Sequence, residues 1–177
     1  HAAAIPAKRS ITHDESFSYL AATGHQGEFV RLAREERRPY GHWVPVREWR
    51  RLWTIEDRFP LARIGRDLAA LDYHPPLYFW LLHVAVLVGG SHPWTGLALN
   101  LLIFPLVVGG VYLVARRVLR NRRWAGVAAA FWALSPAALY SDVRARPYAL
   151  YALWVVLFGW LILRWTRPRE KPGKLDL

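Results

Sequence analysis

Three long stretches without a charged residue constrain the fold of this chain more than any other feature. Residues 94–115, 124–140 and 148–163 contain no Asp, Glu, Lys or Arg, although charged residues make up 21% of the 177-residue sequence. Their lengths bracket the roughly 20 apolar residues that a helix needs to cross a bilayer. The sequence therefore predicts an all-α integral membrane protein with three transmembrane helices.

The distribution of positive charge predicts how these spans are oriented. The net charge is +11, and most of the excess lies in two short segments that flank the predicted spans. The basic residues of these segments are Arg116, Arg117, Arg120, Arg122 and Arg123, then Arg164, Arg167, Arg169, Lys171 and Lys174. Basic residues accumulate on the cytoplasmic side of membrane proteins. We therefore expect a multi-pass protein with both segments in the cytoplasm and residues 1–75 outside it.

A fourth apolar stretch, residues 77–90, is short for a crossing. It contains His83, and if it crossed the bilayer one arginine segment would lie on the outer side. We therefore expect an interfacial or re-entrant helix. The predicted divisions are an extracytoplasmic loop region with amphipathic helices (1–75), the interfacial helix (76–93) and the three-span region with cytoplasmic basic loops (94–177).

The N-terminal region is predicted to be largely helical. Residues 15–38 favour helix, with an interruption at Gly24. A second helix is indicated by apolar residues at helical spacing, namely Leu61, Ile64, Leu68 and Leu71. The many aromatic residues (10 Trp, 8 Tyr and 7 Phe) exclude a disordered chain, and the absence of Cys excludes a disulfide scaffold or a cysteine-based zinc site. The segregated composition also argues against a nucleic-acid partner.

Within the first predicted span, Asn100 is a lone polar residue. An interhelical hydrogen bond is the interpretation we favour for it, because an unpaired amide facing lipid is costly. Gly109 and Gly110 are interpreted as positions of close helix packing rather than as ligand contacts. These features call for neighbouring helices.

Acidic residues occur at two places that the predicted topology puts on the same side of the membrane. Asp14 and Glu15 lie in the first external segment, and Asp142 lies in the short loop before the third span. Each has a structural interpretation: Asp14 as a helix N-cap with Glu15 in the first turn, and Asp142 as a partner of Arg144 or Arg146. Taken together, acids beside arginines at a membrane surface suit a phosphate-bearing lipid, with a carboxylate as base.

Four motifs follow one another along the chain. They are DESFSYL at 14–20, DYHPPLYFWLLH at 72–83, ALSP at 133–136 and ARPYAL at 145–150. In order and spacing they resemble the N-terminal portion of bacterial GT-C membrane glycosyltransferases, in the group similar to protein mannosyltransferases and lipid A aminoarabinose transferases.

The resemblance implies an enzyme of the bacterial inner membrane. Such enzymes transfer a sugar from a polyprenyl-phosphate carrier to an acceptor outside the cytoplasm. By resemblance, Asp14 would be the general base, and Glu15 would support or contact the acceptor. Substrate contacts would come from His74, Arg144, Arg146 and Tyr148.

Two points remain open in the interpretation by resemblance. Some distant members hold a divalent metal between acids of the first and second loops, and in this chain such a metal would bind Asp142. Other members need no metal. The resemblance implies no further cofactor. His74 also has a structural interpretation, as a cap or hydrogen-bond partner at the start of the interfacial helix.

Relatives carry further spans before and after these motifs, and this leaves two hypotheses. In the first, the chain is the N-terminal part of such a glycosyltransferase, inactive as three spans alone. In the second, it is a truncated, inactive descendant that serves as a structural subunit of a larger respiratory or photosynthetic complex. Both require membrane lipids and other transmembrane helices as partners, either its own further spans or those of partner subunits.

The predicted orientation can be tested by single-cysteine labelling, since the chain has no native Cys. A cysteine introduced by Arg120→Cys should be protected from a membrane-impermeant maleimide added outside the cell, whereas Glu28→Cys should react. The reason is that basic loops stay in the cytoplasm. Labelling of both positions from one side would contradict the predicted orientation.

Overall fold

The computed structural model describes residues 11–166, apart from the side chains of Ser141 and Asp142. Within this range all regular secondary structure is helical, which confirms the predicted all-α class. The helices are α1 (His13–Thr23), α2 (Gln26–Arg34), α3 (Val46–Leu52), α4 (Leu61–Leu71), α5 (Leu77–Gly89), α6 (Thr95–Leu119), α7 (Arg122–Ala133), α8 (Pro136–Asp142) and α9 (Tyr148–Thr166). Two of them, α6 and α9, are long and apolar enough to cross a membrane.

Helix α1 is delimited by local interactions at both ends. Thr12 is its N-cap: the backbone N–H of Glu15 donates to the Thr12 hydroxyl, and the Glu15 carboxylate accepts from the Thr12 N–H. Gly24 ends the helix at φ 77°, a left-handed conformation that favours glycine. The interruption predicted at Gly24 is therefore confirmed. The interpretation of Asp14 as the N-cap is wrong, because Thr12 holds that position.

Helix α4 confirms the helix predicted from apolar spacing, and its Ile64 and Leu68 are almost fully buried. Helix α3 was not predicted. Its sequence, VREWRRL, is short and dominated by charged residues, so it lacks a periodic apolar pattern long enough to detect.

Helix α5 presents two different faces. Its buried residues include Tyr78, Phe79 and Leu82, and the helix packs against α1 and α6. The opposite face is apolar but exposed, as at Val84 and Val88. With 13 residues, α5 is about 20 Å long, which is less than the roughly 30 Å hydrocarbon thickness of a bilayer.

Helices α6, α7 and α9 form the apolar part of the fold, with α6 packed against both of the others. A Cβ atom at Gly110 would lie 2.5 Å from Cγ1 of Val156, so α6 and α9 approach closely there. This confirms the packing interpretation of Gly110. At Gly109 no heavy atom lies within 4 Å of a Cβ position, so glycine is not required there for packing within the described structure.

The stretch predicted as one span over 124–140 is broken. Helix α7 ends at Ala133, and α8 starts anew with Ser135 as N-cap and Pro136 in its first turn. The Ser135 hydroxyl accepts from the N–H of Ala138 at 3.2 Å. Proline has no N–H to continue the preceding helix but is well suited to the first turn of the next. Hence the prediction of a continuous helix is wrong at Leu134 and Ser135.

Basic residues are gathered at one end of the helix bundle. Arg117 near the end of α6 donates from Nε to the carbonyl of Leu163 in α9 at 3.0 Å. This contact brings the basic α6–α7 turn close to the end of α9, where Arg164 lies. The remaining residues of the second basic segment, Arg167, Arg169, Lys171 and Lys174, lie outside the described residues.

At the opposite end, α6 begins in close contact with the segment before α9. A Cβ atom at Gly96 would lie 2.2 Å from Cβ of Ala145 and 2.9 Å from its Cα. The Gly96 N–H also donates to the hydroxyl of Tyr19 in α1 at 2.9 Å. The first turn of α6 therefore lies where α1 and the fourth sequence motif meet.

Replacing Gly96 by alanine should destabilise the protein by about 1 to 3 kcal/mol, because the added methyl group has no space beside Ala145. Thermal unfolding in detergent micelles measures the effect. Gly109→Ala is a matched control in the same helix, and it should leave stability unchanged or raise it by up to about 1 kcal/mol. Equal melting behaviour of the two variants would show that the close approach at Gly96 is not required.

Candidate functional site

A buried carboxylate joins the first and fourth sequence motifs. Glu15 is 1% exposed. Its Oε1 accepts from the N–H of Ala145 at 2.8 Å, and its Oε2 accepts from the N–H and hydroxyl of Thr12 at 2.9 and 3.0 Å. Both carboxylate oxygens are thus engaged by the protein itself, which favours a supporting role for Glu15 over direct contact with an acceptor.

Tyr19 makes a second connection one turn further along α1. Its hydroxyl donates to the carbonyl of His92 at 2.7 Å and accepts from Gly96. Burial raises the pKa of Tyr19 to about 12. The phenol therefore keeps its proton at neutral pH and remains a donor to His92.

Asn100 makes the interhelical hydrogen bonds expected of it. Its Oδ1 accepts from the Tyr78 hydroxyl at 3.2 Å, and its Nδ2 donates to the backbone carbonyl of Arg144. The prediction of a structural role for Asn100 is confirmed. The Arg144 side chain points elsewhere, since its guanidinium carbon lies 4.1 Å from the centre of the Tyr140 ring.

Asp14 and Arg146 meet at the start of α1. Nη1 of Arg146 donates to the backbone carbonyl of Asp14 at 3.3 Å, and its guanidinium carbon lies 5.7 Å from the centre of the Tyr148 ring. Nε of Arg146 is buried without a hydrogen-bond partner among the described residues. The Asp14 side chain is 57% exposed, with Nδ1 of His13 3.8 Å from its carboxylate. The backbone of Asp14, whose carboxylate is exposed to solvent, therefore contacts a guanidinium that still has an unused donor.

His74 is held by Asp72 rather than by the helix that follows. Its Nδ1 lies 2.6 Å from Oδ1 of Asp72. The N-cap of α5 is Pro76, and no side chain caps it, so the alternative in which His74 caps this helix is wrong. The His74 ring is nearly parallel to that of Tyr151, at 3° and 6.4 Å between centroids.

Tyr151 lies beside this pair, and Tyr148, three residues earlier in α9, lies beside Arg146. We call Asp72, His74, Arg146, Tyr148 and Tyr151 the Tyr151 cluster. Sequence analysis did not identify Tyr151, although its position three residues after Tyr148 puts both phenols on one side of α9, which was a usable signal.

A cavity of about 970 Å³ lies between α3, the segment 53–58 and the C-terminal end of α5. Its apolar wall includes Ile55, Val86 and Leu87, and its polar residues include Arg50, Glu56 and Arg58. Through Ile11 the wall adjoins the segment that precedes α1.

The metal alternative gains no support from the described residues. The Asp142 side chain lies outside them, although its backbone ends α8. No group of three or more His, Cys, Asp or Glu side chains that could hold a metal ion occurs within the described part of the chain. A divalent metal at Asp142 therefore remains a prediction from the resemblance.

The structural role of Glu15 can be tested by Glu15→Gln. The amide cannot accept at both ends, so one of the N–H donors of Thr12 and Ala145 loses its partner, at a cost of about 1 to 3 kcal/mol. Denaturant unfolding in detergent gives the change. Glu35→Gln, which alters an exposed ion pair with Arg37, is the control and should shift stability by less than about 0.5 kcal/mol. Comparable shifts would mean that Glu15 does not tie the two motifs together.

Comparison with known proteins gives one match. The family model described as dolichyl-phosphate-mannose-protein mannosyltransferase matches residues 73–175, more than half of the chain. The matched segment contains His74, Arg146 and Tyr148, whereas Asp14 and Glu15 precede it. Comparisons with curated proteins and with solved structures found no match. The chain belongs to the dolichyl-phosphate-mannose-protein mannosyltransferase family, of the GT-C type.

Proposed function

We propose that this protein transfers a sugar from a polyprenyl-phosphate carrier to an acceptor hydroxyl outside the cytoplasm, with Asp14 as general base. The observation that carries the proposal is the contact of Arg146 with Asp14 across 132 residues of sequence. It places the backbone of Asp14, whose carboxylate is exposed, against a cation from the family segment. The donor named in the family description, dolichyl-phosphate mannose, is itself a sugar on a polyprenyl phosphate.

The proposed reaction is a single displacement at the sugar carbon that bears the phosphate. The Asp14 carboxylate takes the proton of the acceptor hydroxyl as its oxygen bonds to that carbon. The bond between the carbon and the phosphate oxygen breaks, and its electron pair leaves with the polyprenyl phosphate. The exposure of Asp14 supports this role, because a base must reach the substrate.

Arg146 is proposed to bind the phosphate of the donor. Charge-assisted hydrogen bonds from a guanidinium to phosphate are strong, and they strengthen as negative charge develops on the leaving group. The unused, buried Nε of Arg146 supports this assignment. Tyr148, on whose ring the guanidinium lies, orients the arginine. Arg144, whose guanidinium carbon lies 4.1 Å from the centre of the Tyr140 ring, is proposed as a further substrate contact.

We assign the acceptor to the cavity between α3 and the end of α5. Its mixed lining of apolar and charged side chains suits a substrate with both polar and apolar parts. Ile11 of its wall precedes Asp14 by three residues in the sequence.

The proposed topology has three crossings, by α6, by α7 with α8, and by α9. The contact of Arg117 with Leu163 supports it, because it gathers the basic residues at one end of the bundle, away from Asp14. Helix α5 then lies at the outer interface, and residues 1–75 lie outside the cytoplasm of a bacterial inner-membrane protein. The division into 1–75, 76–93 and 94–177 follows from this arrangement.

Membrane lipids and further helices are proposed to cover the outer faces of the bundle. Large apolar side chains are exposed along α7, at its C-cap and along α9, among them Phe131, Leu134, Val155, Phe158 and Ile162. In water such surfaces are unfavourable, whereas lipid tails or neighbouring helices accommodate them. Other helices would also wall the groove for the polyprenyl chain.

The proposed function predicts that Asp14→Asn lowers the rate of sugar transfer by about 10² to 10⁴, because an amide cannot take up the acceptor's proton. Transfer from radiolabelled polyprenyl-phosphate mannose is measured in membranes containing the protein with any further spans it has in the cell. Asp57→Asn, at an exposed carboxylate paired with Arg63, is the matched control and should retain activity.

Near-normal transfer by Asp14→Asn would refute the assignment of the base. Absence of transfer by the unmodified protein, together with its purification in a complex unrelated to glycosylation, would favour the structural-subunit hypothesis instead.

A further inference from the structure

The turn between α6 and α7 concentrates positive charge that no neighbouring acidic residue balances. The sequence contains no Asp or Glu between Asp72 and Asp142. We use the name turn arginines for the basic residues of this turn together with the one at the end of α9, namely Arg116, Arg117, Arg120, Arg122, Arg123 and Arg164. For those other than Arg117, the described residues provide no salt-bridge partner. Their charge is therefore left for a partner from outside this part of the chain.

The turn arginines lie in one layer of the helix bundle. Only Arg120 and Asn121 separate the end of α6 from the start of α7, so the arginines of this turn all lie within about one helical turn of its tip. Nε of Arg117 donates to the carbonyl of Leu163 at 3.0 Å, and this contact brings the end of α9 beside them. Positive charge from three helices is thus held at one level.

The length of α6 places this layer at the depth of lipid headgroups. Residues 95–115 contain no charged residue, and at 1.5 Å per residue they measure about 31 Å, close to the roughly 30 Å hydrocarbon thickness of a bilayer. Arg116 is the next residue, and α6 extends roughly 6 Å further to Leu119. The headgroup layer on each side of a bilayer measures about 5 to 8 Å. The turn arginines therefore lie at the level of the lipid phosphates.

Exposed apolar side chains adjoin the turn arginines on the side of the bilayer interior. Trp124, Val127 and Ile162 are each more than half exposed. The guanidinium carbon of Arg164 lies 5.4 Å from the centre of the Trp160 ring. Cations next to an exposed apolar surface match a molecule that has an anionic head and apolar chains. A soluble acidic partner would leave the apolar part uncovered.

Helix α7 begins with the opposite charge from the one that favours a helix N-terminus. Asn121 caps it by accepting from the N–H groups of Arg123 and Trp124 at 2.9 and 3.3 Å. Its first turn contains Arg122 and Arg123 and no acidic residue. A helix N-terminus carries partial positive charge, so two arginines there are unfavourable in isolation. An anion held by the turn arginines offsets this repulsion.

We propose that the turn arginines bind the phosphodiester headgroup of an anionic phospholipid, whose acyl chains lie against the adjoining apolar side chains. A guanidinium donates paired hydrogen bonds to phosphate oxygens, which makes arginine well suited to this headgroup. In the proposed topology the site faces the cytoplasmic leaflet, whose surface is negatively charged. The binding involves no covalent step and does not depend on sugar transfer, so the inference goes beyond the proposed function.

Native mass spectrometry of the purified full-length protein in detergent measures the binding. Phosphatidylglycerol and phosphatidylcholine with the same acyl chains are titrated separately, and inorganic phosphate is titrated in a third series. Phosphatidylglycerol should bind about 10-fold or more tightly than phosphatidylcholine, because only its headgroup carries a net negative charge. Equal binding of the two lipids would overturn the proposal. Inorganic phosphate binding as tightly as phosphatidylglycerol would also overturn it, because the site would then recognise a free anion.

A paired substitution locates the site. Arg116→Gln combined with Arg123→Gln should weaken phosphatidylglycerol binding about 30-fold, since each arginine near the membrane surface contributes about 5-fold. Arg31→Gln combined with Arg34→Gln is the matched control, because it removes the same charge from exposed positions of α2. The control should bind phosphatidylglycerol as the unmodified protein does. An equal loss in both pairs would show that net charge alone governs binding, and it would reject the site.

Basic residues also direct membrane insertion, so a pair that conserves charge is measured alongside. Arg116→Lys combined with Arg123→Lys keeps both positive charges, but lysine cannot donate the paired hydrogen bonds of a guanidinium. Phosphatidylglycerol binding should therefore weaken about 5-fold in this variant. If the glutamine pair does not insert, the lysine pair decides the question. Binding as tight as that of the unmodified protein would indicate a diffuse attraction and contradict a phosphate site.

Discussion

The hydrogen bond from the Ala145 N–H to the Glu15 carboxylate is the interaction on which the rest of the site depends. A buried carboxylate is unfavourable unless its oxygens are satisfied, and here Thr12 and Ala145 supply three donors. Satisfying the carboxylate fixes the start of α1 against the segment before α9. Asp14 and Arg146, each adjacent to one end of this bond, are brought together as a result.

The neighbouring contacts reinforce the same junction. Gly96 allows α6 to approach Ala145, Tyr19 connects α1 to α6, and Asn100 binds the backbone of Arg144. Each of these contacts uses a backbone group or a small residue, so they act over short distances and leave little room for adjustment. The charged side chains that face the proposed substrates are therefore mounted on a rigid support.

The sequence predicted the features that depend on local patterns, and it did not predict the contacts between distant segments. The helices α4, α6 and α9 and the interruption at Gly24 follow from apolar runs, apolar periodicity and glycine chemistry, which are local properties. The break before Pro136 also had a local signal, the Ser-Pro pair. The prediction followed the uncharged stretch instead and treated it as one continuous helix. The bond from Ala145 to Glu15 and the position of Tyr151 beside His74 depend on how distant segments pack. A single sequence carries no direct signal for such contacts.

The Glu15–Ala145 hydrogen bond also determines when the site can form during synthesis of the chain. The partners are 130 residues apart in the chain. At a synthesis rate of ~5–20 residues per second, the carboxylate therefore exists for roughly 6 to 26 s before its partner has been synthesised. During this interval the Thr12 cap, three residues away, is already available, whereas Ala145 is not. Completion of the site is thus a late event in biosynthesis, and it follows translation of the whole of α6.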